Sequence, residues 1–239
     1  SATLLGAALI SSVLVGHLAC GSGGGIPALD SEGTVGRYTS ITIGSDGLGL
    51  ISYLDSGPGL LLGGTATSVE AEFVYGSPLE SGSGSLKVAH CSNADCTIAT
   101  TAILDANGEV GRDTSITVGS DGLGIISYFD VGNRDLKVAH CSNTECSSAA
   151  MSTVDSEGDV GRFSSIAVGS DGLPFISYWD IGKSTLKVAH CEDLACSTAT
   201  TATLDEDGRV GMYTSVAIGT DGLPLISYFD IANKDLKVA

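Results

Sequence analysis

The sequence predicts an all-β fold, and three observations predict it. An eleven-residue block, SDGLGIISYFD from Ser120, returns as SDGLPFISYWD from Ser170 and TDGLPLISYFD from Thr220, with an earlier copy, SDGLGLISYLD, from Ser45. Asp-Gly turns separate short runs rich in Ile, Val, Thr, Tyr and Phe, the composition of strands. No window of useful length carries apolar residues at the 3.6-residue period of a helix. Around each block the context also returns: LKVAHC starts at Leu86, Leu136 and Leu186, and LKVA at Leu236. The unit is therefore 50 residues long, and the first copy holds about 25 more; periods of this size mean a repeat architecture.

Taken in order, the third copy shows how one unit is built. Ser164 to Val168 is small and β-branched, and Gly169 to Gly172 is a turn. Leu173 to Trp179 is a short apolar run, closed by a second turn over Asp180 to Ser184. Leu186 to His190 alternates, with Leu186, Val188 and His190 on one face and Lys187 and Ala189 on the other. A Thr-rich run from Cys196 to Leu204 completes the unit. Four short strands per unit, repeated in tandem, match a β-propeller blade, a meander that buries its two faces only against neighbouring blades. Small residues such as Ser115, Thr117, Ser165 and Ala167 suit a crowded inner strand.

The blade count is four or five. If Ile26 to Asp30 is the fourth strand of the blade that includes Leu236, sixteen strands make four blades and leave no open sheet edge. If Ala8 to Ser11 and Leu14 to Cys20, which weakly echo LISY and LKVAHC, form a degenerate blade, there are five. The domain reading is thus 1–25 as an apolar segment and 26–239 as the propeller, with an inserted hairpin at 57–85. Leu4 to Ala19 has the hydrophobic character of an export signal but is too short and too interrupted for a membrane span. His17-Leu18-Ala19-Cys20 before a Gly-rich stretch resembles a bacterial lipoprotein cleavage site, which would lipidate Cys20 and tether the chain to a membrane. His17 departs from the aliphatic residue of that pattern. The insertion is a candidate surface for a partner or for self-association.

Of seven cysteines, six fall into equivalent pairs, Cys91–Cys96, Cys141–Cys146 and Cys191–Cys196, each flanking a four-residue turn where antiparallel strands bring Cβ atoms within bridging reach. Disulfides place the chain in an oxidising compartment: extracellular, periplasmic or cell-surface. His90, His140 and His190 precede the first cysteine of each pair, but adjacent strand residues point to opposite faces, which disfavours a shared zinc ion. A histidine copied into every unit reads as a turn-bonding residue rather than a base.

The chain carries 28 acidic and 11 basic residues, a net charge of −17, which would repel a phosphate backbone and disfavours nucleic acid as a partner. Acids recur in turns, at Asp46, Asp121, Asp171 and Asp221, and at Asp55, Asp130, Asp180 and Asp230. A third set lies in the loops around Asp105 and Asn107, Asp155 and Glu157, and Asp205 and Asp207. These loops offer hard oxygen ligands on a tight turn, so calcium is their candidate cation, although the downstream bidentate Glu of an EF-type loop is lacking; no other cofactor is implied. Tyr53, Tyr128, Tyr178 and Tyr228 recur at one position. Two readings stand: wedge packing between blades, or, for Tyr128, Tyr178 and Tyr228 with the residues after them, Phe129, Trp179 and Phe229, a ligand-stacking ring. No acid stands apart from the repeat except Glu70, Glu72 and Glu80 in the insertion. There is no nucleophile elbow, His-Glu-x-x-His or phosphate loop.

The unit Ser-Asp-Gly-Leu-Pro-x-Ile-Ser-Tyr-x-Asp followed by Leu-Lys-Val-Ala-His-Cys resembles repeats of uncharacterised secreted bacterial β-propeller proteins, over residues 30–239. It is distantly similar to the Asp-box of sialidase-like propellers, but Ser170-Asp171-Gly172-Leu173 lacks the Asp-box spacing, and Arg37, Arg112 and Arg162 repeat rather than converge. Five-bladed lectin propellers resemble it in repeat length and in using one site per blade. The resemblance implies a non-catalytic, exported or cell-surface module binding glycans or proteins at multiple equivalent sites, or serving as a structural surface. A secreted glycoside hydrolase-like propeller and a self-assembling filament or sheath subunit are the alternatives.

Overall fold

A computed structural model describes residues 28–57 and 84–239. The chain forms a series of antiparallel sheets, each a simple meander. Blade 1 comprises β1 (Val35–Ile43), β2 (Gly49–Asp55), β3 (Ser85–Cys91) and β4 (Ala99–Asp105). Blade 2 comprises β5 (Val110–Val118), β6 (Gly124–Asp130), β7 (Asp135–Cys141) and β8 (Ala149–Asp155). Blade 3 comprises β9 (Val160–Val168), β10 (Pro174–Asp180), β11 (Thr185–Cys191) and β12 (Ala199–Asp205). Blade 4 has three strands among the described residues, β13 (Val210–Ile218), β14 (Pro224–Asp230) and β15 (Asp235–Val238). The predicted propeller architecture and four-stranded unit are therefore present. Residues 28–30, expected at the end of a sixteenth strand, lie outside every sheet. The segment 1–25, Cys20, and the hairpin within 57–85 (apart from residues 57, 84 and 85) lie outside the described residues.

The first strands β1, β5, β9 and β13 pack side by side in that order. An inner strand exposes one row of backbone groups to the next blade, and those groups need partners. Serines supply them: the Oγ of Ser40, Ser115 and Ser165 accepts the backbone N–H of Ile116, Ile166 and Val216 at 3.1–3.2 Å. A small side chain is required there, since anything larger would hold the strands apart.

The apolar core lies between blades rather than within them. Leu50, Leu86 and Val88 of blade 1 pack on Val110, Ile116, Ile126 and Tyr128 of blade 2. Ile125, Leu136 and Val138 repeat the arrangement against Val160, Ile166, Ile176 and Tyr178 of blade 3. Leu186 and Val188 do so against Val210, Val216, Ile226 and Tyr228 of blade 4. Strand alternation produces this: Leu186 and Val188 face forward, while Lys187 and Ala189 face back. Each fully buried Leu contributes about 1.5–3 kcal/mol. The approach is close enough to require glycine. A Cβ on Gly111, Gly161 or Gly211 would stand 2.7–2.8 Å from the Cα of Leu86, Leu136 or Leu186, and each glycine has φ near +91 to +103°.

Polar staples cross the same joins. The acid ending the fourth strand of one blade accepts from a tyrosine and a lysine of the next. Tyr128 donates to Asp105 at 2.7 Å, Tyr178 to Asp155 at 2.6 Å and Tyr228 to Asp205 at 2.7 Å, joined by the ammonium groups of Lys137, Lys187 and Lys237. The repeated tyrosine is thus wedge and staple together, which resolves the two sequence readings for Tyr128, Tyr178 and Tyr228 toward packing.

Disulfides Cys91–Cys96, Cys141–Cys146 and Cys191–Cys196 close the turn after the third strand of blades 1, 2 and 3 with Cα–Cα separations of 4.9 Å. They indicate folding in an oxidising environment. Beside them, the Nε2 of His90, His140 and His190 bonds to Asp46, Asp121 and Asp171 at 2.8–2.9 Å. The Oδ1 of each of those acids accepts an N–H of its own turn. The histidines therefore tie the third strand to the turn between the first two.

Candidate active site at one end of the inner strands

Near its start each inner strand carries a bulge, where two residues face one on the second strand. Pairing passes from Arg37 to Ser40, Arg112 to Ser115, Arg162 to Ser165 and Met212 to Ser215. Bulges re-aim side chains and are over-represented next to active sites. The first bulged residue is Tyr38, Asp113, Phe163 or Tyr213, and all four hold φ between 51 and 54°. Left-handed backbone is unfavourable for bulky side chains, by about 1–3 kcal/mol per residue, and such residues cluster at functional sites. Hydroxyl groups fix the conformation: Thr114, Ser164 and Thr214 donate to the carbonyls of Tyr38, Asp113 and Phe163 at 2.7–3.0 Å. Ser52, Ser127 and Ser177 bond in turn to those three hydroxyls at 2.8–2.9 Å.

The four bulged residues and the hydroxyl residues after them line one shallow cavity of about 260 Å³. Three aromatic rings and a single carboxylate therefore meet where the blades converge. The Phe163 and Tyr213 centroids are 4.4 Å apart; Trp179 backs Phe163 at 6.0 Å and Phe229 backs Tyr213 at 6.5 Å. Asp113 is almost buried, and its Oδ2 accepts from Arg162 Nε at 2.8 Å and from the Phe163 N–H at 3.1 Å. The Arg162 guanidinium also lies over the rings of Phe129 and Phe163. Asp159, in the turn leading into β9, is a second acid within Arg162's field. Burial, with help from Asp180, pushes its carboxyl above the ordinary value against the pull of Arg134 and Arg162. Its Oδ1 is buried without a hydrogen-bond partner among the described residues.

The sequence-predicted site residues divide accordingly. Phe129, Trp179 and Phe229 stand behind this cavity as supports. Tyr128, Tyr178 and Tyr228 are buried at the blade joins. The loops with calcium as candidate cation, at Asp105 and Asn107, Asp155 and Glu157, and Asp205 and Asp207, lie at the blade joins. The Oδ1 of Asp105, Asp155 and Asp205 accepts the N–H of Asn107, Glu157 and Asp207, and the cation at each Oδ2 is a lysine ammonium from the next blade. Among the described residues no group of three or more His, Cys, Asp or Glu gathers in metal-binding geometry. Asp113 was missed because acids were compared turn by turn; its signal was that it alone breaks a position otherwise held by Tyr38, Phe163 and Tyr213.

No family model matches the chain, and no curated protein is similar to it in sequence. Solved structures share its fold. A protein of unknown function from Dyadobacter fermentans superposes with TM-score 0.63 at 12% identity, over 89% of this chain and 57% of that one. An endo-1,5-α-L-arabinanase from Thermotoga petrophila gives 0.52 at 11%, over 84% and 54%. An exo-β-1,3-galactanase from Clostridium thermocellum gives 0.51 at 13%, over 86% and 45%. The chain thus spans about half the length of these proteins and shares their multi-bladed propeller fold. This comparison corrects the expectation of a non-catalytic binding or structural module: the arabinanase and the galactanase that share the fold are glycosidases.

Proposed function

We propose that the chain is an exported glycoside hydrolase acting on polysaccharides of the arabinan or galactan kind. Asp113 is the observation that carries this reading: one nearly buried carboxylate, set by a strained bulge among three aromatic rings at the convergence of the blades. Sugar C–H faces stack on aromatic rings while a carboxylate receives sugar hydroxyls, and few convergent polar groups in an aromatic lining are the mark of a small-molecule site. Glycosidic hydrolysis uses two carboxyl groups held in different environments. The proton taken up by the departing oxygen as the glycosidic C–O bond breaks is supplied by a second carboxylic acid or by water entering the shallow cavity. Asp113, held by Arg162, faces the opposite task and takes a proton from the attacking water, whose oxygen forms the new bond to the sugar carbon. The three disulfides support export to the periplasm, cell surface or medium.

The reading is tested by reducing-sugar release from arabinan and β-1,3-galactan. Hydrolysis is expected in the intact protein and is lost in Asp113→Asn.

A further inference from the structure

Arginine recurs just before the bulge, as Arg37, Arg112 and Arg162, with Met212 at that position in blade 4. What this residue meets differs from blade to blade. Arg112 stays within its own blade: its Nη2 donates to Glu109 at 3.0 Å, and the bulged residue of the blade before it, Tyr38, carries no charge. Met212 likewise follows an uncharged residue, Phe163. Arg162 follows Asp113, and it crosses the join from blade 3 to blade 2 to meet it. The blade 3 acid at the position of Glu109 is Asp159, one methylene shorter, and its Oδ2 lies 3.8 Å from Arg134 Nη1.

Two features hold the cross-blade pair in place. The Arg162 guanidinium lies over rings on both sides of the join, 5.6 Å from the Phe129 centroid and 5.0 Å from that of Phe163. A planar guanidinium stacks on ring faces as a compact ammonium does not. Both hydrogen bonds to the carboxylate fall on one oxygen, since Oδ2 accepts from Arg162 Nε at 2.8 Å and from the Phe163 N–H at 3.1 Å. The carboxylate cannot turn without losing both.

We infer that Arg162 is the positioning residue of the site: it fixes the plane of the Asp113 carboxylate, holding Oδ2 from blade 3 and leaving Oδ1 for the bound sugar. The inference rests on the hydrolase reading of Asp113 and adds to it the group that sets the geometry. Arg162 stands outside the lining of the cavity, so it acts through Asp113. A misplacement of about 1 Å at a reacting group lowers a rate about a hundredfold.

Steady-state release of reducing ends by wild type, Arg162→Ala and Arg162→Lys tests it, with near-ultraviolet circular dichroism to show that each is folded. Arg162→Ala is expected to lose about a hundredfold in kcat with KM unchanged, the signature of an interaction that acts in the transition state. Arg162→Gln carries the same comparison if the alanine variant does not fold. Lysine keeps the charge without the planar fork and is expected to restore little. Guanidinium ion at non-denaturing concentration is expected to return part of the lost rate, and sodium chloride at the same ionic strength none. A purely structural role would not respond to that ion. A variant without arginine as fast as wild type, a lysine variant at full rate, a loss confined to KM or a loss that guanidinium leaves untouched would overturn this inference alone, while wild type and Asp113→Asn still differ. A wild type without activity would instead remove the hydrolase reading, and this inference with it.

Discussion

The phenol of Tyr178 in blade 3 donates a 2.6 Å hydrogen bond to Oδ2 of Asp155, the acid that ends blade 2, and the Lys187 ammonium meets the same oxygen. A tyrosine, a lysine and an acid from two sheets thus close each join at a fixed register. An ion pair of this burial adds less net stability than its geometry implies, because desolvation offsets attraction. Removing one partner is a different matter. Asp155→Ala leaves Lys187 charged, buried and alone, and a loss of about 3–5 kcal/mol is expected. Tyr178→Phe removes one hydrogen bond and is expected to lose about 1–2 kcal/mol. Urea unfolding of the two variants beside wild type measures both, and equal losses would contradict the assignment of the charge to the lysine.

The staples also set the acid limb of stability. Burial pushes the Asp105 and Asp155 carboxyls up, but hydrogen bonds from lysine, tyrosine and the following backbone N–H outweigh it, and both are held below the ordinary 3.8. For an acid lowered on folding, the contribution is fully present above the unfolded value and is lost as pH falls through the folded one. Thermal midpoints are therefore expected to hold from neutral pH down to about 4 and to drop below it. At the alkaline end, burial and the Asp205 hydrogen bond push the Tyr228 phenol up to about 12 from 10.0. A group raised on folding loses its contribution as pH rises through the folded value, so a decline between those two values is expected in wild type and is smaller in Tyr228→Phe.

Two glycines at the same repeat position separate backbone strain from packing. Gly36→Ala meets no atom within 4 Å and incurs only the left-handed backbone, φ +84°, at about 1–2 kcal/mol. Gly161→Ala adds contact with the Leu136 Cα at 2.7 Å, and overpacking of this kind brings about 1–3 kcal/mol more. Unfolding free energies of the two variants are expected to differ by that amount, and a Gly36 variant as damaging as the Gly161 one would contradict it.

The disulfides are expected to contribute on the order of 2 kcal/mol each, because their loops are short. Alkylation of the unreduced, denatured chain followed by mass spectrometry is expected to leave Cys91, Cys96, Cys141, Cys146, Cys191 and Cys196 unlabelled. Labelling of any complete pair would remove the argument for an oxidising compartment.

Much of the architecture was legible because each unit repeats its own local rules. Asp171-Gly172 marks a turn, Leu186 to His190 alternates, and Cys191 and Cys196 flank a hairpin whatever surrounds them. What escaped depends on neighbours far along the chain. The loop at Asp105 has the residues of a cation site, yet its cation is the Lys137 ammonium, placed there by packing between blades. The left-handed bulge at Asp113 leaves no composition signature, since Tyr and Phe fill it in other blades. Ile41 and Ile116 occupy the same sequence position, yet Ile116 is buried against the sheet of blade 1 while Ile41 is exposed among the described residues. The departure of Asp113 from Tyr38, Phe163 and Tyr213 was readable, and a comparison of units position by position is what reveals it.

The central claim, that Asp113 works at a sugar-cleaving site among Tyr38, Phe163 and Tyr213, is tested most directly by the rate of reducing-end release. Arabinan and β-1,3-galactan serve as substrates for wild type and Asp113→Asn, with near-ultraviolet circular dichroism to show that both are folded. Release by wild type on at least one polymer, falling about a hundredfold or more in the variant, is the predicted result. No release from either polymer, or equal rates in two equally folded proteins, would contradict it.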